Sequence, residues 1–507
     1  MSIADAVRKH AETQPDKTAL VTSEQGLTYK ELEIKTNRAA EMFHETAVFL
    51  KETPPPIAAI LLPNGTAFLE IVLGAAKAGW IAATLDPKWS RKEITTVIQN
   101  IKPALLFTDE SYISCFHEWR GMVKIIVIGG KATGFEAYEQ WLSSRENTFP
   151  VAMDVKECPF YMGFTSGTTG LPKGFIRTQQ SWMISFAEGD KELGLHPEDN
   201  ISVPGPLVHS LFLFAALHAL HLGAVCFLEE KFFVRSLLSR WKKDRITVMY
   251  GVPSMYEAVI NTAEHTDWQQ AVMRKCIISG DKWSQNRKDF LKTVLPETEW
   301  ISFYGSSELS FVSVFSDRHP GNRPYGLGYP FSTVETSIRD SRGKEVTPGE
   351  KGELFVRSPM TFSGYAGGEA VLPEQWIPSG DIVWEEADGF LNLAGRKKNQ
   401  IVTGGLNVFP EEVEQLLKSH PRIKDAAVIG VKDHYWGEIT SAFIVPAAEQ
   451  NGLVKELKNY CKTYLSAYKC PKIWKQVNDL PLTTSGKPSR QKLTNMLPRE
   501  RQEGYES

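Results

Sequence analysis

The chain has 507 residues, of which 42% are hydrophobic and 23% are charged, and its formal net charge is −3. This length exceeds what one hydrophobic core supports, so we expect two or more domains of ordinary soluble globular composition. The C-terminal part is basic and the remainder acidic, without a concentrated basic stripe, which favours a polyanionic small ligand and argues against a nucleic-acid partner.

The first predicted elements alternate between helices and strands. The N-terminal segment lacks the apolar core of a signal peptide, which predicts a cytoplasmic location. Thr28 and Glu31 form a capping-box pair that opens an amphipathic helix through Phe43. Strand-like apolar runs then lie at residues 57–62, 104–107 and 125–128, with a helical stretch at residues 67–78. This alternation favours mainly parallel sheets covered by helices.

Residues 208–228 form a run of 21 residues without a formal charge, which is long enough to cross a membrane. The run contains three histidines, and Gly223 separates its helical part from a β-prone tail. We therefore predict a buried helix followed by a buried strand, with no stable insertion into a membrane.

The pattern changes in the second half of the chain. Short strands surround a turn-rich segment between residues 338 and 356, which is typical of a small β-rich subdomain. After Gly395 the basic run 396–398 interrupts the apolar pattern, and we place a domain boundary there. The predicted fold class is α/β, with a large domain over residues 1–395, a hinge at 396–398 and a small α+β domain over residues 399–507.

The segment FTSGTTGLPKG, residues 164–174, packs hydroxyls, three glycines and one lysine into eleven residues after an apolar-aromatic run. A loop of this composition after a strand can wrap N–H groups and hydroxyls around a polyphosphate. It is not a Walker A loop, because Lys173 is followed by Gly174 and not by serine or threonine. Alone, it would suit a flexible linker better, and Lys173 would suit a phosphate ligand or a loop-bracing ion pair.

Three further segments carry candidate site residues. FYGSSELS, residues 303–310, places Glu308 at a predicted strand end, and a carboxylate beside a phosphate loop is the natural partner of Mg²⁺. In WIPSGD, Asp381 is positioned to accept hydrogen bonds from ribose hydroxyls. PLTTSGKPSRQKL, residues 481–493, presents Lys487 on a turn. Taken singly, these charged residues would more often be solvated surface groups.

Together, these segments resemble the acyl-adenylating superfamily of acyl-CoA synthetases, adenylation domains of non-ribosomal peptide synthetases and firefly-type luciferases. The resemblance covers nearly the whole chain, from LTYKEL at Leu27 through GAAKAGWIAATLDP at residues 74–87 to the turn at Lys487. Agreement of several motifs in one order is specific, although no single motif would be.

The resemblance implies an ATP site with catalytic cations and a metal. The implied nucleotide contacts are Thr165, Ser166, Gly167, Thr168, Thr169, Gly170, Lys173, Tyr304, Ser307, Asp381, Arg396 and Lys487. Glu308 and Thr168 are implied ligands of Mg²⁺. Lys487, Glu308 and Arg396 are implied catalytic residues, with Lys487 bridging the attacking carboxylate and the α-phosphate.

The resemblance also implies an acyl pocket, a hinge for a small mobile C-terminal domain, and a coenzyme A channel. The implied residues are His209, Phe303 and Gly305 for the pocket, Lys398 for the hinge, and Gly404 and Gly405 for the channel. Two departures from the family pattern stand out. Ser307 replaces a common threonine and keeps the hydroxyl group. Asp281, Lys282 and Trp283 replace smaller residues, and we expect their bulk to reshape the adenine or acyl pocket.

The implied activity is that of a carboxylate–CoA ligase using ATP, Mg²⁺ and coenzyme A. A small carboxylic acid attacks ATP to give acyl-AMP and pyrophosphate, and the thiol of coenzyme A then displaces AMP. The acid itself and the oligomeric state are not readable from the sequence. Three alternatives remain open at this point: a ligase that loads a carrier protein, a luciferase-like monooxygenase, and a non-catalytic nucleotide sensor.

Overall fold

The computed structural model describes residues 2–50, 55–116, 119, 121–130, 134–143, 155–166, 172–263, 272–279, 292–293, 295–319, 326–404, 406–448, 452–483 and 488–497. Within these ranges the chain forms four sheets, of eight, nine, four and five strands. The first two are mainly parallel and the last two mainly antiparallel, so the predicted fold class is confirmed.

The first sheet has a parallel centre and an antiparallel end. Its order is β19 (Gly364–Tyr365), β9 (Pro172–Thr178), β8 (Pro159–Ser166), β4 (Ile81–Thr84), β3 (Ile57–Leu61), β5 (Leu105–Asp109), β6 (Lys124–Ile128) and β7 (Glu136–Ala137). Only the pairings of β8 with β9 and of β9 with β19 are antiparallel among these strands. The central strands are apolar at nearly every position because helices cover both faces of such a sheet.

The second sheet also has parallel strands at its centre, with antiparallel pairings at its ends. Its order is β16 (Tyr329–Pro330), β15 (Ser310–Ser316), β14 (Glu299–Ser306), β13 (Lys275–Ile278), β12 (Val248–Gly251), β10 (Asn200–Val203), β11 (Val225–Leu228), β1 (Thr18–Val21) and β2 (Gly26–Thr28). β14 is parallel to β13 but antiparallel to β15, so the chain reverses direction just after Ser306.

Helices connect and cover these strands. They are α1 (Asp5–Thr13), α2 (Tyr29–Leu50), α3 (Thr66–Lys77), α4 (Arg91–Ile101), α5 (Tyr138–Ser143), α6 (Gln179–Leu193), α7 (Ser210–Leu222), α8 (Val234–Lys243) and α9 (Pro253–Ala263). The predicted capping box is confirmed, because the Thr28 N–H donates to Glu31 Oε2 at 2.8 Å and the Glu31 N–H donates to Thr28 Oγ1 at 3.2 Å. The helix it opens runs beyond Phe43 to Leu50.

The uncharged run 208–228 folds as predicted, into α7 followed by β11. Most of α7 is buried, and Tyr29 of α2 donates a hydrogen bond to the Ala224 carbonyl at 2.7 Å. Among the described residues, no helix is long and apolar enough to cross a membrane.

The third and fourth sheets follow in sequence. The third contains β17 (Glu335–Arg339), β18 (Gly352–Arg357), β20 (Ile377–Glu385) and β21 (Leu391–Arg396). The fourth contains β22 (Ile401–Thr403), β23 (Leu406–Val408), β24 (Ile423–Asp433), β25 (Gly437–Pro446) and β26 (Ile473–Gln476), packed with α10 (Pro410–Lys418), α11 (Leu453–Tyr464) and α12 (Arg490–Asn495).

The fourth sheet and its helices have hydrophobic clusters built only from residues beyond position 400. A single 3₁₀ turn, Lys397–Asn399, joins β21 of the third sheet to β22 of the fourth. A separate core is what a domain needs to fold as a unit. The division at residues 396–398 into domains that move separately remains a prediction.

Candidate active site

The candidate site lies where three sheets meet. Thr165 stands near the C-terminal end of β8 in the first sheet, and Glu308 follows the C-terminal end of β14 in the second. Asp381 belongs to β20 of the third sheet. Ligands of open α/β sheets bind outside the carboxyl ends of the parallel strands, so this crevice is the expected place for a nucleotide.

The Glu308 carboxylate is held by two hydroxyl groups. Thr165 Oγ1 donates to Glu308 Oε1 at 3.2 Å, and Tyr365 Oη donates to the same oxygen at 3.1 Å. The Glu308 carbonyl also accepts the Phe362 N–H at 2.8 Å. These contacts anchor the turn after β14 to β8 and to the segment around Tyr365, and they fix the direction of the carboxylate.

Tyr365 was not predicted from the sequence as a site residue. Its residue type and its place in the turn-rich FSGYAGG gave no signal beyond an aromatic among glycines. Desolvation and then the adjacent Glu308 carboxylate raise the pKa of the Tyr365 phenol to about 12. The phenol therefore stays protonated at neutral pH and serves as a donor that positions Glu308.

A second polar pair joins the second sheet to the third. Tyr304 Oη, near the end of β14, donates to Asp381 Oδ2 at 2.6 Å. Burial, and then the Asp381 charge, raise the pKa of the Tyr304 phenol well above its ordinary value, so it stays a donor. The Tyr304 ring is thereby held against the strand that carries the predicted ribose-binding carboxylate.

Asp381 is buried and has one oxygen without a hydrogen-bond partner among the described residues. That oxygen, Oδ1, lies 3.2 Å from Nε of Arg396, which faces Asp381 across the β20–β21 register. Ser379 Oγ accepts the Asp381 N–H at 3.1 Å, which fixes the strand locally. A buried acceptor left open beside a cation suits a ligand hydroxyl group such as those of ribose.

Arg396 opens onto a cavity at the junction of the third and fourth sheets. The cavity has a volume of about 350 Å³ and is lined by Ser379, Gly380, Arg396, Lys397 and Lys398. The Arg396 side chain is 48% exposed, so its guanidinium can contact a ligand while retaining Asp381. The run of three cations explains why an anionic ligand would be attracted to this side of the crevice.

The remaining predicted nucleotide contacts divide into described and undescribed positions. Lys173 is exposed on β9 opposite Thr165 and has no ion pair within the described ranges, while Ser307 is half-buried. The backbone of Ser166 ends β8, but its side chain is not described. Gly167, Thr168, Thr169, Gly170, Asp281, Lys282, Trp283, Gly405 and Lys487 lie outside the described residues.

The predicted acyl-pocket residues border the same turn. Phe303 packs edge-on against Phe311 with ring centroids 4.7 Å apart. A side chain at Gly305 would place its Cβ 1.9 Å from the Ser310 carbonyl oxygen, so only glycine fits there. His209 directly precedes α7 and is exposed.

Of the predicted hinge and channel residues, Lys398 and Gly404 are described, and Lys398 lines the cavity. Lys398 is exposed in the 3₁₀ turn between the sheets. Gly404 has φ +56°, and a Cβ there would lie 2.7 Å from the Trp436 ring. Both the conformation and the close approach therefore require glycine at this position.

The site fits a nucleotide-bound Mg²⁺ and not a metal cage made of protein alone. Within the described ranges, no three His, Cys, Asp or Glu side chains cluster as metal ligands. Glu308 offers a carboxylate whose Oε2 accepts no hydrogen bond from described residues. Mg²⁺ at nucleotide sites is usually held by one or two carboxylates, phosphate oxygens and water, which matches this single carboxylate.

Two family models match the chain. The family described as AMP-binding enzyme matches residues 7–366, and the one described as AMP-binding enzyme C-terminal domain matches residues 412–487. Among curated proteins, an uncharacterized acyl–CoA ligase of Bacillus subtilis, YhfT, is 35% identical over 499 residues, which are 98% of each chain. A feruloyl-CoA synthase of an Amycolatopsis species is 29% identical over 94% of this chain and 96% of its own.

Solved structures show the same fold. The anthranilate CoA ligase AuaEII, crystallised with anthranoyl-AMP, superposes with a TM-score of 0.85 at 24% identity. The superposition covers 98% of this chain and 97% of that one. The agreement therefore extends through both the large and the small parts of the molecule.

Proposed function

Because the chain belongs to the AMP-binding enzyme family, we propose that it is an acyl-CoA synthetase that activates a carboxylic acid with ATP and transfers the acyl group to coenzyme A. One observation supports the proposal: the Thr165–Glu308 and Tyr304–Asp381 contacts bring the first residue of the predicted phosphate loop and the two predicted ligand-binding carboxylates to one crevice. A site that binds nucleotide phosphates and ribose side by side suits nucleotidyl transfer to an acid.

The first half-reaction joins two anions, a carboxylate and the α-phosphate of ATP. Lys487 and Arg396 supply positive charge where the negative charge of the transition state develops, and such preorganised charge is a large contribution to catalysis. Mg²⁺, held by Glu308 and the phosphates, would neutralise the departing pyrophosphate. Asp381 and Tyr304 hold ribose and adenine, so that the α-phosphorus meets the carboxylate in line.

The second half-reaction is attack of the coenzyme A thiol on acyl-AMP. We propose that the fourth sheet turns about Lys398 between the two steps, which withdraws Lys487 and presents Gly404 and Gly405 to the thiol. The short turn Lys397–Asn399 carries the chain from the third sheet to the fourth, and it supports a hinge at this point. The cytoplasmic location rests on the N-terminal sequence alone and stays a prediction.

The experiment is to measure AMP and thioester formation from ATP, Mg²⁺ and a panel of carboxylic acids, with either coenzyme A or a phosphopantetheinylated carrier protein as the thiol. We expect AMP release that requires both an acid and coenzyme A, with acyl-CoA as the product. Thioester formation on the carrier protein alone would support the carrier-loading alternative. Light emission with oxygen would support the monooxygenase, and nucleotide binding without turnover of any acid would contradict a ligase.

A further inference from the structure

A buried arginine beside the predicted acyl pocket has no carboxylate partner among the described residues. Arg177, on β9, is only 4% exposed. Its Nε donates to Ser181 Oγ at 2.9 Å, and its Nη2 donates to the Ser181 carbonyl and to Ser185 Oγ, both at 3.2 Å. All three acceptors are neutral, and Arg177 Cζ lies 5.8 Å from the centroid of the Trp182 ring, a cation–π contact, so no described carboxylate balances the charge.

Such a charge is costly unless something neutralises it. A buried ion is tolerated in proteins mainly when it is paired or bound to a ligand of opposite charge. Desolvation lowers the pKa of the Arg177 guanidinium to about 9, so it remains cationic at neutral pH. The buried carboxylate of α6, the helix that carries Ser181 and Ser185, belongs to Glu188 and accepts a hydrogen bond from Ser332 instead, at 2.9 and 3.1 Å to its two oxygens.

Two hydrogen bonds in series link this arginine to the first residue of β15, Ser310. Ser185 Oγ, which accepts from Arg177, lies 3.0 Å from Ser310 Oγ. The Ser310 carbonyl in turn lies against Gly305, a predicted acyl-pocket residue. Two serine hydroxyl groups, those of Ser185 and Ser310, therefore connect Arg177 to the neighbourhood of Gly305.

The strand partner of Arg177, Tyr161, reaches the start of α7. Tyr161 faces Arg177 across the β8–β9 register, and its Oη lies 3.4 Å from Ser210 Oγ. Ser210 directly follows His209, another predicted acyl-pocket residue. Two neighbours of Arg177, Ser185 and Tyr161, thus contact serines that lie next to the predicted acyl-pocket residues Gly305 and His209.

We propose that Arg177 receives a second anionic group of the acyl substrate, so that the protein activates one carboxyl group of a dicarboxylic acid. The inference rests on the proposed function and names its substrate class. Nη1 of Arg177 makes no hydrogen bond to a described residue, which leaves one edge of the guanidinium for the ligand. A guanidinium binds a carboxylate with paired hydrogen bonds, and the surrounding hydroxyl groups add further donors.

The experiment compares chain-length-matched acids by pyrophosphate release: pentanoic with glutaric, hexanoic with adipic, and octanoic with suberic acid. We expect kcat/KM to be at least about 10-fold higher for the diacid of the preferred length. The Arg177→Met variant should lose about 30-fold or more on that diacid and much less on the matched monoacid, because a buried charge pair loses one partner. Arg177→Lys, which keeps the charge, should restore part of the preference.

Arg240→Met is the matched control, because Arg240 is also largely buried but already has Glu229 as its partner, at 3.4 Å. Thermal melting checks that each variant is folded. If Arg177→Met does not fold, Ser185→Ala still tests the same preference and should reduce it several-fold.

Equal turnover of monoacids and diacids by the wild type, or an equal loss on both in a folded Arg177→Met, overturns the inference while leaving the ligase intact. A wild type that adenylates no acid contradicts both.

Discussion

Replacing Lys487 with alanine is expected to slow acyl-AMP formation by about 10³-fold or more, since a cation that acts on the transition state is lost. The thioester step should survive when synthetic acyl-AMP and coenzyme A are supplied, because the hinge model withdraws Lys487 before the thiol attacks. The measurement is the rate of each half-reaction, assayed separately.

Two variants make this result interpretable. Lys492→Ala removes an exposed cation from α12 in the same segment and should leave both half-reactions unchanged. Lys398→Pro should show the reverse pattern to Lys487→Ala, because a fixed φ at the hinge restricts the turn while the adenylating arrangement survives. If Lys487→Ala slows both steps equally, or Lys398→Pro spares thioester formation, the alternation model is wrong for this protein.

The Glu308→Gln variant is expected to lose adenylation by about 10²-fold or more, with the loss greatest at limiting Mg²⁺. The substitution removes the charge that holds the metal but keeps the size of the side chain. An amide oxygen can still accept from Thr165 and Tyr365, so the fold of the turn should persist. Pyrophosphate release as a function of Mg²⁺ concentration measures the effect.

The matched control is Glu369→Gln, which removes an exposed carboxylate from the loop that follows Tyr365. That variant should keep wild-type adenylation at every Mg²⁺ concentration. Near-normal pyrophosphate release by Glu308→Gln at limiting Mg²⁺ would remove Glu308 from the metal site.

Features set by neighbouring residues could be predicted from the sequence alone. The Thr28–Glu31 capping box spans three residues, and both partners are visible in one turn of helix. The uncharged run 208–228 was correctly divided into helix and strand because glycine at position 223 favours a helix end. Alternating strands and helices likewise predicted the parallel sheets.

The contacts that build the site could not be predicted in this way, since they join residues far apart in the chain. Tyr365 reaches Glu308 over 57 residues, and Tyr304 reaches Asp381 over 77. In each pair, the residues around one partner give no indication of where the other partner lies. Arg177 was also missed, because a strand position next to a helix start gives no sign that its charge is buried without a carboxylate.

The central claim is that a carboxylate attacks the α-phosphorus of ATP, and isotope transfer tests it most directly. An acid that the enzyme accepts as a substrate is labelled with ¹⁸O in its carboxyl group and incubated with the enzyme, ATP, Mg²⁺ and coenzyme A. The nucleotide product is then analysed by mass spectrometry. The account predicts AMP that carries one ¹⁸O from the acid, with unlabelled pyrophosphate. Label in orthophosphate together with ADP, or AMP without label, would contradict it.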